Sequence, residues 1–430
     1  MPDLAYPALL LVWALLLSAP LFKVVTDHDA FLAITHTGKA SLVDFVKFYA
    51  IGKLCRSADR AKLYDAQVQN AYIKSVLDQR DLHADQLGQY TPQFCLAMAP
   101  LSLLPINLSY GLWMIATLTI FVGSLRALSD SVKVSDGRRC SLYFYALVLA
   151  APAAIFNILL GQAGFLSAGL FALFWLAFLR GSPIATGIAL ASFVLKPQYL
   201  PFLAFTCLAD RRDKTLWIAA GAALALTAGT VAVLGWQALL AYPRFLHDCE
   251  FGLTTVKGLE AQAMIGWRGL LSLWLPQSAI AWTIAPVTLL GACACYLAWR
   301  ESAQGSRQSQ AMSVLSITCI GLLTSAHTHI YDLLLLAAPL ALLFPSPSWA
   351  GVFNRENGPA RWLLALFLIY PLIAWAIYLQ GPADWSGKNR WQGIYVLALL
   401  GISLAGLIQD RQKSTTTPGT NDQALRRPID

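Results

Sequence analysis

The sequence predicts an all-α integral membrane protein of about ten full transmembrane helices, with a half-helix hairpin and outer-face amphipathic helices. Three observations carry that expectation. Of 430 residues, 57% are apolar and 13% charged, where soluble proteins devote about a quarter of their residues to charge. Apolar runs recur along the chain at the length, about 20 residues, that crosses a hydrocarbon core about 30 Å thick. The short connections between them are basic on alternate sides, and 16 of the 31 Lys and Arg fall where alternation makes the side cytoplasmic. The net charge of +8 thus follows from membrane orientation, without nucleic acid as a partner.

The elements follow in order. A first span occupies residues 4–23 within a unit 1–23; it is long and has no basic leader before Leu4, so it reads as a retained helix. Residues 24–91 form an outer loop with nine basic residues, counting Lys23, and eight acidic ones. Long loops translocate largely regardless of charge. Tyr64, Val68, Tyr72 and Val76 recur every four residues there and build a helical apolar stripe suited to lying on the membrane.

The polytopic domain is 92–408. Residues 92–104 are too short to cross and read as a re-entrant or interfacial helix. Spans are expected at 108–125, 141–159, 165–179, 216–234, 279–299, 311–325, 330–344, 362–379 and 393–408. Segment 183–208 has basic residues at both ends, Arg180 and Arg211-Arg212, and is interrupted by Lys196-Pro197-Gln198. A single span would put one basic cluster outside, so we expect two half-helices with Lys196 at the tip; a single Pro-kinked helix is the alternative. A second outer loop, 235–277, carries Trp236, Trp267 and Trp274, residues of the membrane interface, and 409–430 reads as a disordered cytoplasmic tail. The eight cysteines have no metal-ligand spacing and read mostly as core filler; a Cys55–Cys249 bridge is conceivable.

Polar groups at membrane depth are expensive, so those near the outer ends of the helices are the functional candidates. Asp44 opens an apolar stretch, Asp44-Phe45-Val46-Lys47-Phe48-Tyr49; its plainer reading is a solvated loop carboxylate. Asp27-His28-Asp29 is an acid-x-acid pattern able to hold a divalent cation, though a weak one. Gln162, after Gly161, serves either a hydroxylated ligand or a helix cap. Lys196, between apolar half-helices, must find an anion or snorkel to the surface. A lipid phosphate arriving sideways would be such an anion. His327-Thr328-His329-Ile330-Tyr331-Asp332 lies at an outer helix junction; two His at i and i+2 without a third ligand make a poor zinc site, so phosphate or sugar contact, or interface packing, fits better and no metal is expected.

Taken together these residues resemble glycosyltransferase family 87, of the C-type superfamily. The resemblance rests on Asp44-Phe45 with Phe48-Tyr49, Leu63-Tyr64-Asp65, Tyr90-Thr91-Pro92, Ala99-Pro100-Leu101, Leu160-Gly161-Gln162, Leu195-Lys196-Pro197-Gln198 and His329-Ile330-Tyr331-Asp332, in that order from Asp44 to Leu343. It implies a C-type fold in the bacterial inner membrane and transfer of one sugar, with inversion, from a polyprenyl-phosphate donor to a glycan or glycolipid acceptor on the periplasmic face, with no cofactor. It implies Asp44 as general base. Lys196 would neutralise the leaving phosphate, and Tyr49, Tyr90, Gln162, Gln198, His327, His329 and Asp332 would contact substrate. In mannosyltransferase members a His pair adjoins a Trp; here Thr328 separates the two His and no Trp adjoins them, so a hexose, mannose included, or a pentose is open. The absence of GxGxxG or Walker motifs agrees with a donor drawn from the lipid. Two other classes compete: a lipid or sugar transporter, since broken helices at mid-membrane also build transport sites, and a non-catalytic envelope scaffold.

Overall fold

The computed structural model describes residues 43–77, 87–131, 142–253, 261, 264–303, 305–343, 358–379 and 385–416. The expected first span, the Asp27/Asp29 pair and the last residues of the tail lie outside these. Among the described residues the chain is helical throughout, with no strand.

The chain begins with α1 (Val43–Cys55) and α2 (Ala66–Val76), the latter started by Asp65, whose carboxylate accepts from the backbone of Gln67 and Val68. The short α3 (Pro92–Met98) has Pro at its first position and Thr91 as cap. Next come α4 (Ile106–Ser131), α5 (Leu142–Ala150), α6 (Pro152–Leu160) and α7 (Gly164–Leu179). The run at 141–159, expected as one span, is thus two helices. Ala151 is extended, φ −64° and ψ 146°, because the residue before Pro152 is driven out of the helical region.

Segment 183–208 breaks at its polar centre into α8 (Pro183–Ala191) and α9 (Leu200–Ala209), with two short 3₁₀ turns on either side of Lys196, itself at φ −143° and ψ 76°. Its two ends lie together: the Arg212 guanidinium, just past α9, sits 3.9 Å from the ring centroid of Phe178, just before α8. Arg212 also holds Asp210 at 2.5 Å, and Asp210 accepts from the Trp299 indole at 3.0 Å. The segment therefore leaves one side of the protein, turns at Lys196 and returns.

There follow α10 (Asp213–Leu234), α11 (Trp236–Glu250), α12 (Trp267–Leu271), α13 (Gln277–Trp282), α14 (Ile284–Ser302) and α15 (Arg307–Thr324). A 3₁₀ stretch, Ile330–Leu336, leads into α16 (Ala337–Leu343), and α17 (Gly358–Leu379) and α18 (Trp385–Thr416) close the described chain. Since α18 runs to Thr416, the first part of the tail expected to be disordered is helix.

Among the described residues three helices are long and apolar enough to cross a membrane: α4, α10 and residues 391–412 of α18. Their burial differs. In α4, 39% of the most apolar window is covered by protein and in α10 only 11%, so α10 presents its apolar side chains outward, as lipid contact requires. In contrast α7 is enclosed, with Phe165, Phe171, Phe174, Trp175 and Phe178 all buried. It packs against α4, α8 and the 330–336 stretch and forms the pillar on which the site stands.

One expectation is corrected. The Tyr64, Val68, Tyr72, Val76 stripe faces protein. The Tyr64 ring lies 5.2 Å from both Tyr242 and Phe245 of α11, and Val76 packs with Val46 and Ala50 of α1. A stripe reports an apolar face but not what covers it, and here α11 folds back over Tyr64. Cys55 and Cys249 share that apolar cluster.

Candidate active site

Asp44 lies in the first turn of α1 and is held by two donors. Lys47, one turn on and 5% exposed, places Nζ 2.7 Å from Oδ1, and Gln162 places Nε2 2.8 Å from Oδ2. Burial opposes ionisation of this carboxyl, but the Lys47 ammonium and the two hydrogen bonds outweigh it and hold the group below the ordinary carboxylate value. Asp44 is thus a partly buried carboxylate, held ionised by its two donors.

The Gly161-Gln162 pair explains how Gln162 gets there. Gly161 closes α6 in the left-handed region, φ +65°, and a Cβ on it would fall 2.5 Å from Cβ of Phe45. Only glycine lets α1 come this close. The Trp113 indole donates to the Gly161 carbonyl at 3.1 Å and fixes the turn, and the Gln162 Oε1 accepts from Ala163 N at 3.2 Å. Gln162 thus meets the backbone just ahead of α7 on one side and Asp44 on the other. Gly164 plays the same part toward the other motif, since a Cβ there would meet the Tyr331 carbonyl at 2.9 Å.

Lys196, at the hairpin tip, forms an ion pair with Asp332, whose side chain is fully buried. Asp332 also accepts from the His329 backbone N–H at 2.9 Å, so both its oxygens are engaged. The Lys196 ammonium stands 5.2 Å from the Tyr331 ring centroid and 5.8 Å from that of Tyr199, a partly aromatic cage. Thr91 ties the preceding Tyr90 to this tip by donating to the Leu195 carbonyl at 3.4 Å.

His329 stands between the two ion pairs. Its ring stacks on Tyr331, centroids 5.4 Å apart, and lies within electrostatic reach of Asp44, Asp332 and Lys196. Burial pushes its imidazole down to about 4, so the ring is neutral at physiological pH. Tyr90 packs edge-on against Phe48 at 4.7 Å; burial and the Asp44 charge raise its phenol well above the usual value, so it enters the site as an uncharged hydroxyl.

Three expected contacts are otherwise engaged. The Tyr49 hydroxyl donates to the Leu104 carbonyl at 2.7 Å, and the Gln198 amide donates to the His327 carbonyl, so both serve the scaffold. His327 Nε2 lies 2.8 Å from Glu250 Oε1 and its Nδ1 3.5 Å from Arg268. Arg268 is buried, pairs with Glu250 at 2.5 Å and donates to the Ala326 carbonyl at 2.9 Å. Although burial favours its neutral form, His327 and Arg268 hold the Glu250 carboxyl below its ordinary value. Through this cluster, and through Ile265 N–H to the Thr328 carbonyl at 2.8 Å, Glu250, Ile265 and Arg268 grip the segment that carries His329 and Asp332.

Sequence reasoning missed Lys47, Glu250 and Arg268. For Lys47 a signal was available, since positions i and i+3 of a helix share a face. Glu250 and Arg268 lie 18 residues apart on two elements, and no local spacing joins them. Among the described residues no group of three or more His, Cys, Asp and Glu is placed to hold a metal ion.

Chemically, the arrangement offers an ionised carboxylate to accept a proton, two ammonium groups to meet an anion, and neutral aromatic and imidazole rings between them. No curated protein and no solved structure matches the chain. A family model does: the one described as glycosyltransferase family 87 matches residues 89–326, more than half of the sequence. That stretch contains Tyr90, Gln162, Lys196 and Gln198, begins after Asp44 and ends one residue before His327. The chain belongs to glycosyltransferase family 87.

Proposed function

We propose that this glycosyltransferase draws its sugar from a polyprenyl-phosphate lipid and transfers it, with inversion, to a glycan or glycolipid acceptor at the outer, periplasmic face of a bacterial inner membrane. The observation that carries the reading is the pairing of a partly buried, ionised Asp44 with a second, cationic centre at Lys196, His329 being within electrostatic reach of both. A single displacement needs those two poles. Asp44 takes the proton from the acceptor hydroxyl as its oxygen attacks the anomeric carbon; the bond from that carbon to the lipid phosphate breaks, and the electron pair leaves on the phosphate. Lys196 meets the growing phosphate charge, in a setting where burial magnifies the attraction. His329 and Tyr90, both neutral, orient phosphate or sugar by hydrogen bonds. A membrane of ten spans, with the hairpin tip at the level of the outer headgroups, gives the lipid donor lateral access to Lys196.

The test is incubation of purified protein with radiolabelled polyprenyl-phosphate sugars and an acceptor lipid extract, for wild type and Asp44→Asn. The expected result is release of polyprenyl phosphate with a new labelled product in wild type, and a loss of about 10²–10⁴-fold in the variant, the usual worth of a positioned base. Wild-type-like turnover by Asp44→Asn would remove Asp44 from the chemistry, and no consumption of any such donor would remove the donor class.

A further inference from the structure

We propose that Lys47 is a catalytic residue that moves from Asp44 to the donor phosphate, so that binding of the donor switches on the base. This rests on the reading of the site as a lipid-phosphate-dependent transferase.

The geometry points to it in three ways. First, Lys47 is nearly fully buried, yet it occupies one oxygen of the carboxylate that must receive a proton, while Gln162 occupies the other. A carboxylate with a donor on each oxygen is well held and a weak base. Second, the two pairs share neighbours: Lys196 stands 5.2 Å from the Tyr331 ring, which lies 5.4 Å from that of His329, and both rings feel the charges of Asp44 and Asp332. Third, among the described residues Asp44 and Asp332 are matched by Lys47 and Lys196, and removing Lys47 leaves these four groups one negative charge in excess, which disfavours a phosphodiester.

A phosphodiester has two non-bridging oxygens, and the site has two ammonium groups. Lysine is a point charge on a flexible stem and can change partner with little reorganisation. When the donor enters, Lys47 Nζ leaves Asp44 Oδ1 for the phosphate and that oxygen is freed. The acceptor O–H then breaks, its proton passing to Oδ1, while the new bond from oxygen to the anomeric carbon forms. The bond from that carbon to the phosphate oxygen breaks with its electron pair, and the phosphate departs as a dianion between Lys47 and Lys196. Once it dissociates, Lys47 returns to Asp44 and the proton passes to water. Binding is therefore ordered, donor before acceptor.

Among the described residues, the groups facing Asp44 are Lys47 on its own helix, Tyr90 ahead of α3, Gln162 after α6, and His329 and Tyr331 before α16. Of these, only Lys47 is changed in the test, which compares wild type, Lys47→Met and Lys47→Arg in detergent. In Lys47→Met we expect a rise of about tenfold or more in donor KM, the worth of one charge-assisted hydrogen bond. We also expect the acid limb of kcat/KM to move up by about 1–3 pH units as Asp44 loses its cation; Lys47→Arg restores the limb. A folded Lys47→Met with unchanged donor KM and acid limb overturns the proposal. Should Lys47→Met not fold, affinity for polyprenyl phosphate is compared between Asp44→Asn and Asp44→Asn/Lys47→Met, whose pair is neutral: a loss of about tenfold in the double variant supports the role and equal affinities overturn it. If wild type consumes no polyprenyl-phosphate sugar, the donor reading fails and this proposal with it; if wild type does so and the Lys47 variants match it, only the role of Lys47 falls.

Discussion

Two lysine–carboxylate pairs face one another across His329, and they are built differently. Asp44 and Lys47 are three residues apart on one helix; Lys196 and Asp332 are 136 apart and join the hairpin tip to the far side of α7. The first pair lies within one turn of α1, and Gln162 holds the second oxygen of Asp44 independently of it. The second exists only when the whole bundle has assembled, and breaking it strands a charge in the interior. The local pair is suited to change partner during turnover, and the remote pair to stand still.

Removing one member of each pair sharpens that contrast. Asp332→Asn leaves the Lys196 ammonium without its carboxylate, and the expected cost is about 3–5 kcal/mol, read as a large drop in melting temperature in detergent. The charge swap Lys196→Asp/Asp332→Lys should recover much of that stability while activity stays lost; a swap no more stable than Asp332→Asn would show that the pair does not hold the bundle together. Acid sensitivity is the next effect. His329 is pressed to about 4 from an unfolded value near 6.5, so the unfolded chain binds the extra proton first. Stability should fall, on the order of 3 kcal/mol, as pH drops from about 6.5 to 4, and His329→Gln should flatten that slope in a pH series of melting curves. Asp44, whose value is lowered, contributes stability that is present above the ordinary carboxylate range and lost only at still lower pH. The smallest effect is at the junction. Gly161→Ala forces a positive φ on a residue with a Cβ and pushes that Cβ into Phe45; we expect a loss of about 1–2 kcal/mol and reduced turnover, measured as a lower kcat.

The same contrast explains what the sequence discloses. Helical class, the break at Lys196 and the candidate polar residues are written locally, in apolar runs, a Lys-Pro step and charges out of place, so they were legible. Asp44, Gln162, Lys196, His329 and Asp332 were singled out and the fold gathers them. What was not legible is who meets whom. Gln162 was read as awaiting a ligand, and it meets Asp44; His327 was assigned to substrate, and it is held by Glu250 and Arg268. Lys196 was expected to find its anion in the lipid, and an internal one waits at Asp332. Those pairings depend on tertiary return of the chain, which periodicity does not encode. The Tyr64 stripe failed for the same reason, since an apolar face is identical in sequence whether α11 or lipid covers it.

The anchored base of the hairpin has a mechanical meaning. Arg212 on Phe178, with Asp210 and Trp299, clamps the segment where it enters and leaves, and Lys196 projects from that clamp at the end of a short beam. Each arm, at about 1.5 Å per helical residue, is on the order of 15–20 Å long. A cantilever of that length converts a small rotation at its root into a displacement of its tip. The packing at the clamp is thereby coupled to the position of the cation at the far end of the hairpin.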